Sequence, residues 1–180
     1  MKKVLTVLLA GALLTPGLAA AHGPSRLKVD KKIEVNAPPA KVWAIIGDFC
    51  SIAKWHPAVA TAKCDGPNKP GTTRLLHLGK ADGPTIKEQL KIYNPKKMTY
   101  KYIILDVDVH TLPVQTYHSH LTVSPGPNGG SIVDWRGSFY RGDERGDPPP
   151  DLNDAAAVKG VTSVYEAGLE NIKKIAEGGK

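Results

Sequence analysis

The chain has 180 residues, 41% of them hydrophobic, with 24 basic against 17 acidic side chains and a formal net charge of +7. That length suits one domain large enough to bury a real core. The basic residues are scattered singly or in pairs among acids, which excludes the one-sided basic face with aromatic platforms that binds nucleic acid. A modest attraction to an acidic partner protein is the reading the charge supports.

Met1-Lys2-Lys3 is a basic start, Val4 to Leu14 is almost wholly apolar, and Pro16-Gly17 precedes Ala19-Ala20-Ala21. This is the order of a secretory signal peptide over 1–21, with an apolar run too short to span a bilayer. A single domain over 22–180 and export to the periplasm are therefore expected. No later stretch is long and apolar enough for a membrane span.

Lys28 to Val35 alternates as a first strand. Pro38-Pro39 suits a first helical turn, where a missing N–H costs nothing, and Val42, Trp43, Ile45, Ile46 and Phe49 follow at amphipathic spacing. Ser51 to Pro57 reads as a second brief helical turn. Strands are predicted over Val59 to Cys64, Thr72 to Leu78, Thr85 to Tyr93, Met98 to Val107, Val114 to Val123 and Ser131 to Tyr140. In the third of these, Ile86, Glu88, Leu90 and Ile92 share a face by alternation. The run Pro125-Gly126-Pro127-Asn128-Gly129-Gly130 is a hairpin turn. Short connections throughout favour antiparallel neighbours.

After Pro148-Pro149-Pro150, Asp151 or Asn153 can cap a helix from about Asp154 to Glu177. Val158, Val161, Tyr165, Leu169, Ile172 and Ile175 form its apolar stripe. At ~1.5 Å per residue it is roughly 35 Å long. The fold class is α+β: a seven-stranded antiparallel sheet wrapped round one long C-terminal helix, with two short helices after the first strand. The sheet's apolar face must be covered, that helix is the main candidate for doing so, and space it leaves unfilled becomes a pocket.

This order, with Ala37-Pro38-Pro39-Ala40-Lys41-Val42-Trp43, Trp55-His56-Pro57, Glu88, Tyr93-Asn94 and Tyr165-Glu166-Ala167-Gly168-Leu169, resembles the SRPBCC superfamily of START-like and polyketide cyclase proteins. Ala21-His22-Gly23-Pro24, the run from Trp135 to Gly142, and Pro148 to Asp154 further resemble the MxaD-type periplasmic proteins associated with methanol oxidation. The superfamily resemblance implies a helix-grip fold with a hydrophobic, ligand-sized cavity for a small molecule or lipid. The narrower one implies an accessory role with quinoprotein methanol dehydrogenase and its cytochrome c acceptor, with no catalysis. A second reading in the same superfamily is a polyketide cyclase or dehydratase using polar cavity residues as acid or base. Cys50 and Cys64 depart from the family pattern.

Trp55 and His56 fall where such a cavity would open. A histidine there can act as an acid or base, but no partner acid lies nearby in sequence, which favours a histidine held by a backbone carbonyl. An inward Glu88 needs a partner, because a buried lone carboxylate costs several kcal/mol; Arg74, on the face of Leu76 and Leu78, is the natural one. Tyr100, Tyr102, Tyr117, Trp135 and Phe139 are inward by alternation and combine apolar bodies with polar tips, which suits either a binding pocket or ordinary core packing.

His118 and His120 share the opposite, solvated face of their strand. Cleavage after Ala21 would leave His22 as a terminus whose amine and imidazole favour copper. The fold is wrong for a copper centre, so no metal and no cofactor are expected. Cys50 and Cys64 match no metal spacing; in an oxidising compartment a disulfide between them and a free pair both remain open. No Ser-His-Asp order, phosphate loop or haem motif is present.

Overall fold

A computed structural model describes residues 23–179. The expected signal peptide over 1–21 and the copper-favouring His22 lie outside those residues.

The elements follow in the predicted order. Strand β1 is Leu27–Val35, helix α1 is Pro39–Ile46, and a 3-10 turn runs over Phe49–Lys54. Six more strands come next: β2 (Val59–Cys64), β3 (Thr73–Leu78), β4 (Thr85–Asn94), β5 (Thr99–Val107), β6 (Val114–Pro125) and β7 (Ser131–Arg141). Helix α2, Asp154–Ala176, closes the chain. One antiparallel sheet has the order β1-β7-β6-β5-β4-β3-β2, so β1 is carried across to pair with the last strand while every other neighbour is joined by a local connection. This is the helix-grip architecture expected from the sequence.

Local chemistry sets the boundaries. Pro39 opens α1 without losing a needed donor. The Asn153 side chain caps α2 by accepting from the Ala156 N–H at 2.9 Å. In the β6–β7 turn, Asn128 and Gly129 take the left-handed conformation that asparagine and glycine tolerate best.

Burial follows the predicted faces with two departures. A bulge between Leu90 and Ile92 breaks the alternation of β4, so Ile92 turns outward and is 47% exposed while Tyr93 takes the inward register opposite Tyr100. A bulge adds one residue to one strand and reverses every side chain beyond it. The core stripe of α2 is Ala157, Val161, Tyr165, Gly168, Leu169, Ile172 and Ala176. Val158 and Ile175 sit on its half-buried flanks, while the small residues Ala157, Gly168 and Ala176 are buried within it.

A further departure concerns what covers the sheet. The close backbone contacts of α2 are with β1, β7 and α1. A helix is ~10 Å across, whereas seven strands at ~4.8 Å spacing make a sheet roughly three times as wide. One helix therefore covers about two strands. The 3-10 turn packs against β2 and β3 instead, and the space between these two covers is closed mainly by aromatic side chains.

Candidate functional site

The gap between the two covers is a cavity of about 80 Å³. Strands β3 and β4 contribute Leu76, Ile86 and Glu88; β5, β6 and β7 contribute Tyr102, Tyr117 and Trp135. Ile52 and His56 close it from the 3-10 side, and Val164 from α2. It has room for about three water-sized groups at ~30 Å³ each, well below the ~300 Å³ at which pockets for drug-sized ligands begin. Large rings fill most of the volume that the sheet's curvature opens.

Five of the residues singled out in the sequence reach this space: His56, Glu88, Tyr102, Tyr117 and Trp135. The other four lie behind its walls. Trp55 is buried at the end of the 3-10 turn, edge-on to Trp135 with ring centroids 5.7 Å apart. Phe139 stacks on Tyr117 at 5.9 Å, and Tyr100 packs against Phe49. Arg74 is 1% exposed, beneath Glu88. Alternation established that these side chains point inward, but only the packing shows which of them face empty space.

Arg74 and Glu88 are cross-strand partners on β3 and β4. The Arg74 Nε donates to Glu88 Oε2 at 2.6 Å and Nη1 donates to the Phe49 carbonyl. The guanidinium also lies 3.9 Å from the Phe49 ring centroid, within cation–π range. Burial drives the Glu88 carboxyl above the usual carboxylate range, opposed by the adjacent Arg74 charge. Arg74 Nη2 is buried and without a partner among the described residues.

A second polar system runs along β5, β6, β7 and α2. Trp135 Nε1 donates to Ser119 Oγ at 2.9 Å and lies 3.2 Å from the Tyr102 hydroxyl. Ser119 Oγ is 3.1 Å from the Tyr165 hydroxyl, which bonds that of Tyr117. Burial raises all three tyrosines far above the ordinary phenol value, so they stay protonated donors. Ser119 was not singled out in the sequence, and Tyr165 only in the apolar stripe of the last helix and in the run that resembles the family. A hydroxyl on an apolar face is itself the signal, because buried polar groups are hydrogen-bonded.

His56 is held at both nitrogens. Nε2 donates to the Val164 carbonyl at 3.0 Å, and Nδ1 accepts from the Ala58 N–H at 3.2 Å. Burial lowers its pKa, with a smaller push from Arg74 and the Val164 bond in opposition. A neutral imidazole with both nitrogens committed is a strut between the 3-10 turn and α2, and is poorly placed to shuttle a proton.

On the outer face of the sheet, His118 is exposed, whereas His120 Nε2 bonds the Thr99 hydroxyl at 2.7 Å. Among the described residues no group of three or more His, Cys, Asp or Glu side chains could hold a metal ion. Cys50 and Cys64 form a disulfide, with Cα atoms 6.0 Å apart; it ties the 3-10 turn to the end of β2. None of the described helices is long and apolar enough to cross a membrane.

A family model for polyketide cyclase / dehydrase and lipid transport proteins matches residues 26–177. MLP-like protein 423 of Arabidopsis thaliana is 27% identical over 143 residues, spanning 75% of this chain and 89% of that protein. Ribonuclease 1 of Panax ginseng is 33% identical over 70 residues; the match covers 38% of this chain and 46% of the relative, so under half of that protein is matched. Among solved structures, XoxI of Bacillus cereus superposes with a TM-score of 0.70 at 27% identity, covering 84% of this chain and 96% of that one. Truncated norcoclaurine synthase of Thalictrum flavum superposes with a TM-score of 0.62 at 16% identity, covering 88% and 98%, a likeness of fold alone.

Proposed function

Because the chain belongs to the polyketide cyclase / dehydrase and lipid transport family, we propose that it is an exported binding protein. In this reading it holds a small hydrophobic molecule between sheet and helix and assists electron transfer from methanol dehydrogenase to cytochrome c in the periplasm. The observation that carries the binding reading is the cavity itself, with apolar walls and a few convergent polar groups. The accessory role is supported by the resemblance of the Trp135 to Gly142 and Pro148 to Asp154 runs to MxaD-type proteins, and by a basic charge balance suited to an acidic partner.

Affinity capture from the periplasm of methanol-grown cells is expected to recover methanol dehydrogenase or the cytochrome. Recovery of neither ends the accessory reading. Native mass spectrometry of the same preparation is expected to show a retained small molecule.

The second reading, a cyclase or dehydratase, is favoured by one feature: a carboxylate, Glu88, on the wall of a cavity that Tyr102 also lines. It predicts a turnover lost in Glu88→Gln with the fold intact.

A further inference from the structure

The two oxygens of Glu88 have different surroundings. Oε2 is taken by Arg74 at 2.6 Å. Oε1 has no hydrogen-bond partner among the described residues, yet unlike the equally unpartnered Trp55 Nε1, Arg74 Nη2 and His77 Nδ1 it is not fully buried. It therefore keeps accessible surface, and Glu88 lines the cavity. The Arg74 nitrogen without a partner has no such surface, so what the pair shows to a ligand is an acceptor and not a cation.

The sheet also opens beside this point. Strands β5 and β6 pair from Thr99↔Thr122 to Ile103↔His118 and no further. Beyond that, β5 continues to Val107 paired only with β4, while Val114 and Gln115 pair with β7. The divergence begins at Thr116, a β-branched residue at φ 48°, within a register shift between Gln115 and His118. A groove of about 310 Å³ lies in the split, and it shares Ile104 and Tyr117 with the inner cavity.

We infer that the cavity binds the hydroxyl end of a neutral alcohol, donating to Glu88 Oε1, with the apolar body leaving through the split between β5 and β6. This deepens the binding reading above and rests on it. The chemistry selects among end groups. A carboxylate brings no donor and is repelled by Glu88. An ammonium adds a third charge to a pair already neutral, in a space where desolvating an ion is costly. A hydroxyl donates to Glu88 and adds no charge.

The test is calorimetric titration of the full folded protein with 1-octanol, octanoate and octylamine, three probes of one chain length. The alcohol is expected to bind at least about tenfold more tightly than either ion, the fold-change that one hydrogen bond to a charged group is worth. Equal binding of all three overturns the Glu88 assignment and leaves the cavity reading standing; binding of none overturns both. Glu88→Gln turns an amide N–H toward the ligand, so the preference over octanoate should collapse, and an unchanged ratio overturns the proposal. Ile104→Trp narrows the shared wall and should abolish binding of the alcohol while the thermal transition stays cooperative. Full affinity in that folded variant overturns the route.

Discussion

Arg74 and Glu88 show how a buried charge constrains its neighbours. Their side chains are 1% and 7% exposed, so each charge depends mainly on the other for compensation. Arg74→Leu should cost about 3–5 kcal/mol, since it strands the Glu88 carboxylate. The double variant Arg74→Leu/Glu88→Leu should recover most of that loss, and urea unfolding of the four-member cycle measures the coupling. Additive losses would show the pair to be independent. His56 gives a pH signature of defined sign. The unfolded imidazole takes up a proton near 6.5, while burial depresses the folded value. The stability it contributes is therefore complete above 6.5 and is lost as the pH falls from there toward the depressed folded value. His118 and His120 are shifted the same way by burial, so the measurement is a difference. Stability should fall less between pH 7.5 and 5 in His56→Gln than in the parent.

At the scale of elements, the approach of α2 to the sheet is set by small residues. A Cβ at Gly168 would lie 2.7 Å from Trp135 and 2.8 Å from His56. Both are held rings, so neither can swing away as a flexible chain end would. Gly168→Ala should destabilise by about 1–3 kcal/mol through overpacking, even though alanine is the better helix former. A thermal midpoint at or above that of the parent would mean the helix has slack to retreat. The β4 bulge is a second element-level decision. Strict alternation puts Ile92 inside with Leu90, but the extra residue brings Tyr93 inward, where it stacks beside Trp43 at 6.2 Å. Nothing in the run Leu90-Lys91-Ile92-Tyr93 marks the bulge, because it is fixed by the register with β5.

For the whole molecule, the disulfide closes a loop with a sequence separation of 14 at the open end of the sheet, where β2 is an edge strand. Cross-linking a loop of that size removes unfolded-state entropy worth about 3 kcal/mol. Reduction should therefore lower Tm by about 6–12 °C for a domain of this size. An unchanged Tm in reductant would show that the 3-10 turn is held by packing alone. The fold needs that turn, because it covers the part of the sheet that α2 does not reach.

The succession of elements along the chain, the ends of α2 and the inward set Arg74, Glu88, Tyr102, Tyr117 and Trp135 were determined by the sequence alone, because periods of 2 and 3.6 and the chemistry of caps and turns act over a few residues. Arg74 could be matched to Glu88 because both are inward by alternation and opposite in charge; that they face each other across β3 and β4 came from the register. How far one helix covers seven strands was decided only in three dimensions. So were which rings fill the remainder, the size of the space left over, and the separation of β5 from β6. Those depend on side-chain volumes summed across elements distant in the chain, and no local pattern carries that sum.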